Sequence, residues 1–171
     1  MRTEEIIAEF QSIAIITADR KKFFSELKNI NHRYRKIGYL STDTAYDALR
    51  SELQGSGLSQ SNFMLIDTIS VAKKLQKPIA GVIFVTSRSS ITEMRIAFKK
   101  FLQEWDGDLF IIDNISDLAD NNDIGELTKM LNDIILDIRR QSKKIIFLIR
   151  PHHTDSMIND IYLFSDKVIE M

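Results

Sequence analysis

The stretch Leu109-Phe110-Ile111-Ile112-Asp113-Asn114-Ile115-Ser116 decides the fold. Four apolar residues run without alternation into an aspartate. Such a run suits a strand covered on both faces, as in a parallel sheet, whereas a half-exposed antiparallel strand would alternate apolar and polar. Working outward, the same pattern returns at Ser12 to Thr17, Ile37 to Ser41, Phe63 to Asp67, Gly81 to Thr86 and Lys144 to Ile149. A seventh run, Lys167 to Met171, closes the chain. The segment Phe63 to Ser70 looks like Leu109 to Ser116, but a strand ending in Asp is too common in such folds to mark a repeat.

Between the runs the apolar residues take helical spacing. Ile91, Met94, Phe98, Phe101, Leu102 and Trp105 fall on one stripe, with Ser90 as N-cap and Glu93 completing a capping box. Leu127, Met130, Leu131, Ile134, Ile135 and Ile138 form another, started by Asp123 and Glu126. A third helix is expected over Lys21 to Tyr34, a shorter one over Tyr46 to Leu53, and loops at Gln54 to Gly57 and Asp117 to Asn122. Strand followed by helix, repeated, predicts a three-layer α/β/α domain over residues 1–171, with a doubly wound, mostly parallel sheet of about seven strands.

Composition narrows the function classes. The chain has 23 Lys+Arg against 24 Asp+Glu, a net charge of -1, so the total carries no signature of nucleic-acid binding. It has no cysteine, which removes disulfides, thiolate metal sites and cysteine nucleophiles and agrees with a cytoplasmic location. The start, Met1-Arg2-Thr3-Glu4-Glu5, is acidic and polar where a secretory signal would be basic and then apolar, and no apolar run is long enough to span a membrane.

In order and local wording the elements resemble the KaiC-like branch of the RecA superfamily. Ile37-Gly38-Tyr39-Leu40-Ser41-Thr42-Asp43, the helical stretch after it, Gly57-Leu58 and Phe63 to Asp67 are similar to that family's second-strand region. Leu109 to Ser116 with Leu118 resembles its Walker B strand, with Asp113 in the place of the aspartate that serves magnesium. Ile161 to Met171 is similar to a late strand in which an Asp precedes a short apolar run. The resemblance implies a RecA-like fold and an ancestry in nucleotide hydrolysis.

The chain departs from the family where the chemistry begins. In place of G-x-x-x-x-G-K-[ST], the first strand leads into Thr17-Ala18-Asp19-Arg20-Lys21-Lys22-Phe23-Phe24. No glycine precedes Gly38, and no Gly-Lys pair occurs anywhere. Without those glycines the backbone N–H groups cannot curl around phosphates, and Asp19 would bring negative charge to the phosphate position. The catalytic glutamate that the family carries after its second strand is matched only by the shorter Asp43.

Other constellations are weaker. Ligands of open α/β sheets bind beyond the carboxyl ends of the strands, which makes Asp19, Asp43, Asp67, Thr86, Ser87 and Asp113 the candidates. Asp67 with Thr86 or Ser87 resembles a phosphoacceptor aspartate and its switch hydroxyl, but the acidic pair and the Lys-Pro of a receiver domain are missing. His152, His153 and Asp155 read as a polar loop, since adjacent side chains on an extended segment point apart. Arg20 to Lys36, with seven cations against Glu26 alone, reads as a solvated helix face rather than a nucleic-acid contact. Ser87-Arg88-Ser89-Ser90 could hold an anion at a helix start, though Ser90 as a plain cap explains the same residues.

The expectation is thus a KaiC-like domain that is not an enzyme, with no catalytic residue, cofactor or metal. It would act as a regulatory or scaffolding module on a protein partner, itself or an active paralogous ATPase. The alternative is a nucleotide- or phosphate-binding protein using Asp43, Ser87, Arg88 and Asp113 at the strand ends.

Overall fold

The computed structural model describes residues 2–71, 77–152 and 156–171. The chain runs α1 (Thr3–Glu9), β1 (Ser12–Ile16), α2 (Arg20–Ile30), β2 (Ile37–Ser41), α3 (Tyr46–Gly55), a 3-10 turn (Gln60–Asn62), β3 (Phe63–Asp67) and β4 (Val82–Phe84). It continues with α4 (Ile91–Gln103), β5 (Leu109–Asp113), α5 (Ile115–Asn121), α6 (Ile124–Arg140), β6 (Lys144–Ile149), α7 (Ser156–Phe164) and β7 (Lys167–Glu170). The seven strands form one sheet in the order β4-β3-β2-β5-β6-β1-β7, every neighbouring pair parallel.

That order explains the layers. Connections leaving β1, β2 and β3 step toward the β4 edge, and those leaving β4, β5 and β6 step back. Because parallel crossovers are right-handed, the two directions place their helices on opposite faces. One core accordingly joins Ile7 of α1, Phe23, Phe24 and Leu27 of α2, and Leu49 and Leu53 of α3 to Ile13, Tyr39, Leu65 and Ile111 of the sheet. The other joins Met94, Phe98 and Phe101 of α4 and the apolar stripes of α5, α6 and α7 to Ala14, Leu40, Phe110 and Phe147. Strand residues alternate between the two cores, so both faces are apolar and the strands read as unbroken runs. Gly38 keeps β2 close to the second core, where a Cβ would come to 2.5 Å from Phe110 Cδ2 and 2.6 Å from Phe101 Cδ2.

Several expectations fail locally, and of the loop expected at Gln54 to Gly57 the first two residues belong to the last turn of α3. Asp117 to Asn122 is not a loop: α5 covers it to Asn121, because Ile115, Leu118 and Ala119 are buried and the Asn114 side chain accepts from Asp117 N–H at 2.8 Å. Ser90 and Glu93 form no capping box. Ser90 makes no cap bond, and the Glu93 carboxylate turns back to accept from Thr86 N–H (2.7 Å) and Thr86 Oγ1 (2.6 Å), tying the end of β4 to α4. At α6 the expected cap is present, Asp123 accepting from Glu126 N–H at 3.0 Å. The third helix stops at Ile30, and Tyr34 instead donates its hydroxyl to Ile7 O at 3.3 Å. Helices α1 and α7 have no counterpart in the sequence reading.

No described helix is long and apolar enough to cross a membrane.

Candidate functional site

In an open parallel sheet a crevice opens where neighbouring strands send their connections in opposite directions. Here β2 and β5 form one such point and β6 and β1 another. Both points flank one cleft of about 470 Å³, reached by Thr17, Arg20, Asp43, Asp113, Asn114 and Arg150.

Alternation along β5 puts Asp113 on the α2 face, in register with Ser41 of β2 and below the Tyr39 hydroxyl. The connection from β1 to α2 is only Thr17, Ala18 and Asp19, and Asp19 is spent as the cap, accepting from Lys22 N–H at 3.1 Å. Arg20, the first residue of the helix, is thereby held over the strand ends. Its Nε lies 2.8 Å from Asp113 Oδ2, its Nη2 2.5 Å from Asp43 Oδ1 and its Nη1 3.5 Å from Glu52 Oε2. Nη1 also donates to Thr44 Oγ1, and Tyr39 donates its hydroxyl to Asp113 Oδ2. A cation at a helix N-terminus opposes the helix dipole, so three carboxylates are what make this placement favourable.

Burial pushes the Asp113 carboxyl up to about 6, against the pull of the Arg20 charge and the Tyr39 hydrogen bond. Burial opposes the charge on Arg20 too, but Asp113, the other carboxylates and Tyr39 leave it held more firmly charged than an ordinary arginine. The partners differ because Asp113 has lost more hydration: its side chain is 6% exposed, that of Arg20 20%. Burial, then the Asp113 charge, hold the Tyr39 hydroxyl well above its usual range, so it stays a donor.

Of the strand-end candidates, the structure joins Asp43 and Asp113 through Arg20. Arg88 stands apart, donating from Nη1 to Thr42 O at 3.3 Å, and Ser87 sits in the loop before α4, accepting from Ser89 N–H at 3.2 Å. Asp67 is consumed by its surroundings: it is 2% exposed and accepts from Tyr46 N–H (2.7 Å), Ile69 N–H (2.7 Å), Ser70 N–H (2.9 Å) and Ser70 Oγ (2.5 Å). Thr86 is tied to Glu93. Lys21 and Lys22 are exposed, as a solvated helix face requires. His153 and Asp155 lie outside the described residues. The residue that sequence reasoning missed is Arg20, counted there only among the cations of a basic helix. Its position one residue after a capping Asp was the available signal.

Compared with solved structures, the chain is similar to a KaiC-like protein of the hyperthermophilic archaeon Pyrococcus horikoshii, with a TM-score of 0.63 and 11% identity over 94% of this chain and 71% of that one. The fold is KaiC-like, of the RecA type. A second Pyrococcus horikoshii protein, uncharacterized and solved in complex with an unknown peptide, matches with a TM-score of 0.71 and 13% identity over 98% of this chain and 82% of that one. The flagellar accessory protein FlaH of Methanocaldococcus jannaschii matches with a TM-score of 0.51 and 16% identity over 93% and 70%. No family model matches the sequence, and no curated protein matches it.

The cleft offers neither a long loop at its β1–α2 corner nor a free carboxylate at Asp113. Three residues between β1 and α2 are too few to wrap a phosphate. The carboxylate of Asp113 is already engaged by a guanidinium and a tyrosine hydroxyl.

Proposed function

We propose that this chain is a non-catalytic pseudo-ATPase of KaiC-like fold that works as a regulatory or scaffolding module in the cytoplasm, through contact with a protein partner. One observation carries the reading. Arg20, supplied by the chain itself, gathers Asp43, Glu52 and Asp113 at the strand ends and satisfies the carboxylates that a cation would otherwise meet. A cleft whose nearly buried carboxylate, Asp113, is already engaged by the chain's own guanidinium offers a metal little there, and it has no glycine loop for phosphates. What remains is a rigid surface whose partner is a second copy of the chain or an active paralogue of the same fold. A structural neighbour that was solved with a peptide bound supports the use of such a fold for polypeptide contact.

A second reading is favoured by Arg150, which lines the same cleft as Arg20 and whose guanidinium is paired with Asp117 (3.4 Å) and Asp120 (2.5 Å). An anion that displaced these carboxylates would meet two guanidiniums beside one crevice, a way to hold the phosphate of a nucleotide or other ligand without a glycine loop.

A thermal-shift titration with ATP, ADP and magnesium separates the two, because a ligand that binds only the folded state raises its melting temperature. No shift at millimolar nucleotide supports the pseudo-ATPase. A magnesium-dependent shift that disappears in Asp113→Ala overturns it.

A further inference from the structure

Residues 20–36 hold seven cations and one anion in a chain of net charge -1. Arg20 is spent in the cleft. The other six, Lys21, Lys22, Lys28, Arg33, Arg35 and Lys36, are all exposed, and among the described residues none of them forms an ion pair. Some cations elsewhere are matched across the surface, as Arg95 is with Asp133, Arg139 with Asp166 and Lys143 with Asp106, but no other segment of similar length gathers as many without an ion pair among the described residues.

Two of the six are placed with more order than a solvated face requires. Lys21 and Lys28 are seven residues apart, two turns of α2, and so share one face. With Ser25 between them they line a groove of about 580 Å³ whose opposite wall is α3 and its C-cap, through Ser51, Glu52 and Ser56. Lys28 reaches along it to Gly57, where a Cβ would stand 2.7 Å from Nζ; this glycine, at φ 74°, leaves the ammonium its room. The rise of an α-helix sets the two lysines about 10 Å apart along the groove. A chain in polyproline-II conformation brings residues i and i+3 onto one face about 9 Å apart.

We propose that the α2–α3 groove docks an acidic segment of a partner protein, with carboxylates three residues apart meeting Lys21 and Lys28 and its main chain facing the serine hydroxyls. This rests on the interaction-module reading and names the partner's chemistry. Polypeptide is favoured over nucleic acid for two reasons. Phe23, Phe24, Tyr34 and Tyr46, the aromatic side chains of this face, are buried, so none is free to stack on a base. Glu52 in the groove wall repels a continuous phosphodiester chain, whereas a polypeptide can set a neutral residue opposite it.

The test is fluorescence anisotropy with a labelled (Glu-Pro-Pro)3-Glu peptide, against labelled single-stranded oligothymidylate, at two salt concentrations. Lys21→Glu with Lys28→Glu should weaken peptide binding about tenfold or more, because it reverses two direct contacts. The charge-matched pair Lys22→Glu with Arg33→Glu, outside the groove, should change it no more than about threefold, as expected of a screened field. All four positions are exposed, so circular dichroism should show both variants folded. Equal losses in the two double variants, no saturable peptide binding, or tighter binding of the oligonucleotide would each overturn the proposal. A nucleotide-induced thermal shift with peptide binding intact would instead sink the pseudo-ATPase reading and leave the groove standing.

Discussion

Arg20 Nε lies 2.8 Å from Asp113 Oδ2, joining the first residue of a helix to the last residue of a strand 93 positions later. Truncating the arginine strands a nearly buried carboxylate and leaves Asp43 and Glu52 facing each other without a cation. Arg20→Ala should therefore cost about 3 kcal/mol, the lower end for breaking a buried pair, since part of the guanidinium is solvated. Urea denaturation at pH 7 measures it. A loss under about 1 kcal/mol, the scale of a surface ion pair, would show that the cluster does not hold the cleft together.

Asp113 itself should make stability depend on pH with an unusual sign. Its folded value, about 6, lies above the ordinary 3.8, so the folded state binds the extra proton. Its contribution is then complete below pH 3.8 and is lost as pH rises through 6, by about 3 kcal/mol at most. Asp106 and Asp166 are shifted downward, so their contributions are lost only in more acid solution, outside this window. Between pH 4 and 7, Asp113→Asn should gain on the parent protein as pH rises. Parallel stability curves across that range would contradict the assignment.

Asp67 should prove structural. Replacing it with alanine removes the acceptor for three backbone N–H groups and a serine hydroxyl at a buried site, at a cost of about 3 kcal/mol or more. Incubation with acetyl phosphate should leave the mass of the protein unchanged. A phosphorylated product lost in Asp67→Asn would restore the receiver-like reading.

Two glycines should respond in opposite directions to alanine. At Gly38 the new methyl meets the Phe101 and Phe110 rings, a collision worth about 2 kcal/mol of destabilisation. At Gly55, in the last turn of α3, nothing stands within 4 Å of the added atom, and alanine should stabilise by about 0.5 kcal/mol. Thermal melts of the two variants decide it, and a neutral Gly38→Ala would mean that the second core is looser than the contacts imply.

The strands were legible because both faces of each are buried, so apolar residues follow one another regardless of parity. Leu109 to Asp113 and Phe63 to Asp67 coincide with strands to the residue, and only the ends of β1, β4 and β7 fall short of the expected runs. Helix α5 escaped because its polar residues dominate Asp117 to Asn122, although Asn114 as cap and Ile115, Leu118 and Ala119 at helical spacing were there to be read. At the site, Asp43 and Asp113 could be found because a carboxylate after an apolar run marks a strand end. Arg20 could not be paired with them: its partners are 23, 32 and 93 residues away, and no local pattern encodes a bond made by sheet topology.

The sheet order has a further consequence, for how the chain acquires its shape. The strand nearest the start of the chain, β1, is flanked by the two nearest the end, β6 and β7, and Asp166 clasps this end by accepting from the N–H groups of Gln11 and Ser12. During synthesis β1 must wait, exposed and unpaired, while more than a hundred residues are added. The middle strands can assemble meanwhile, but the fold closes only when residues 144–170 arrive. Such long-range closure is slow, and the interval before it is when this protein is most open to aggregation and most in need of a chaperone.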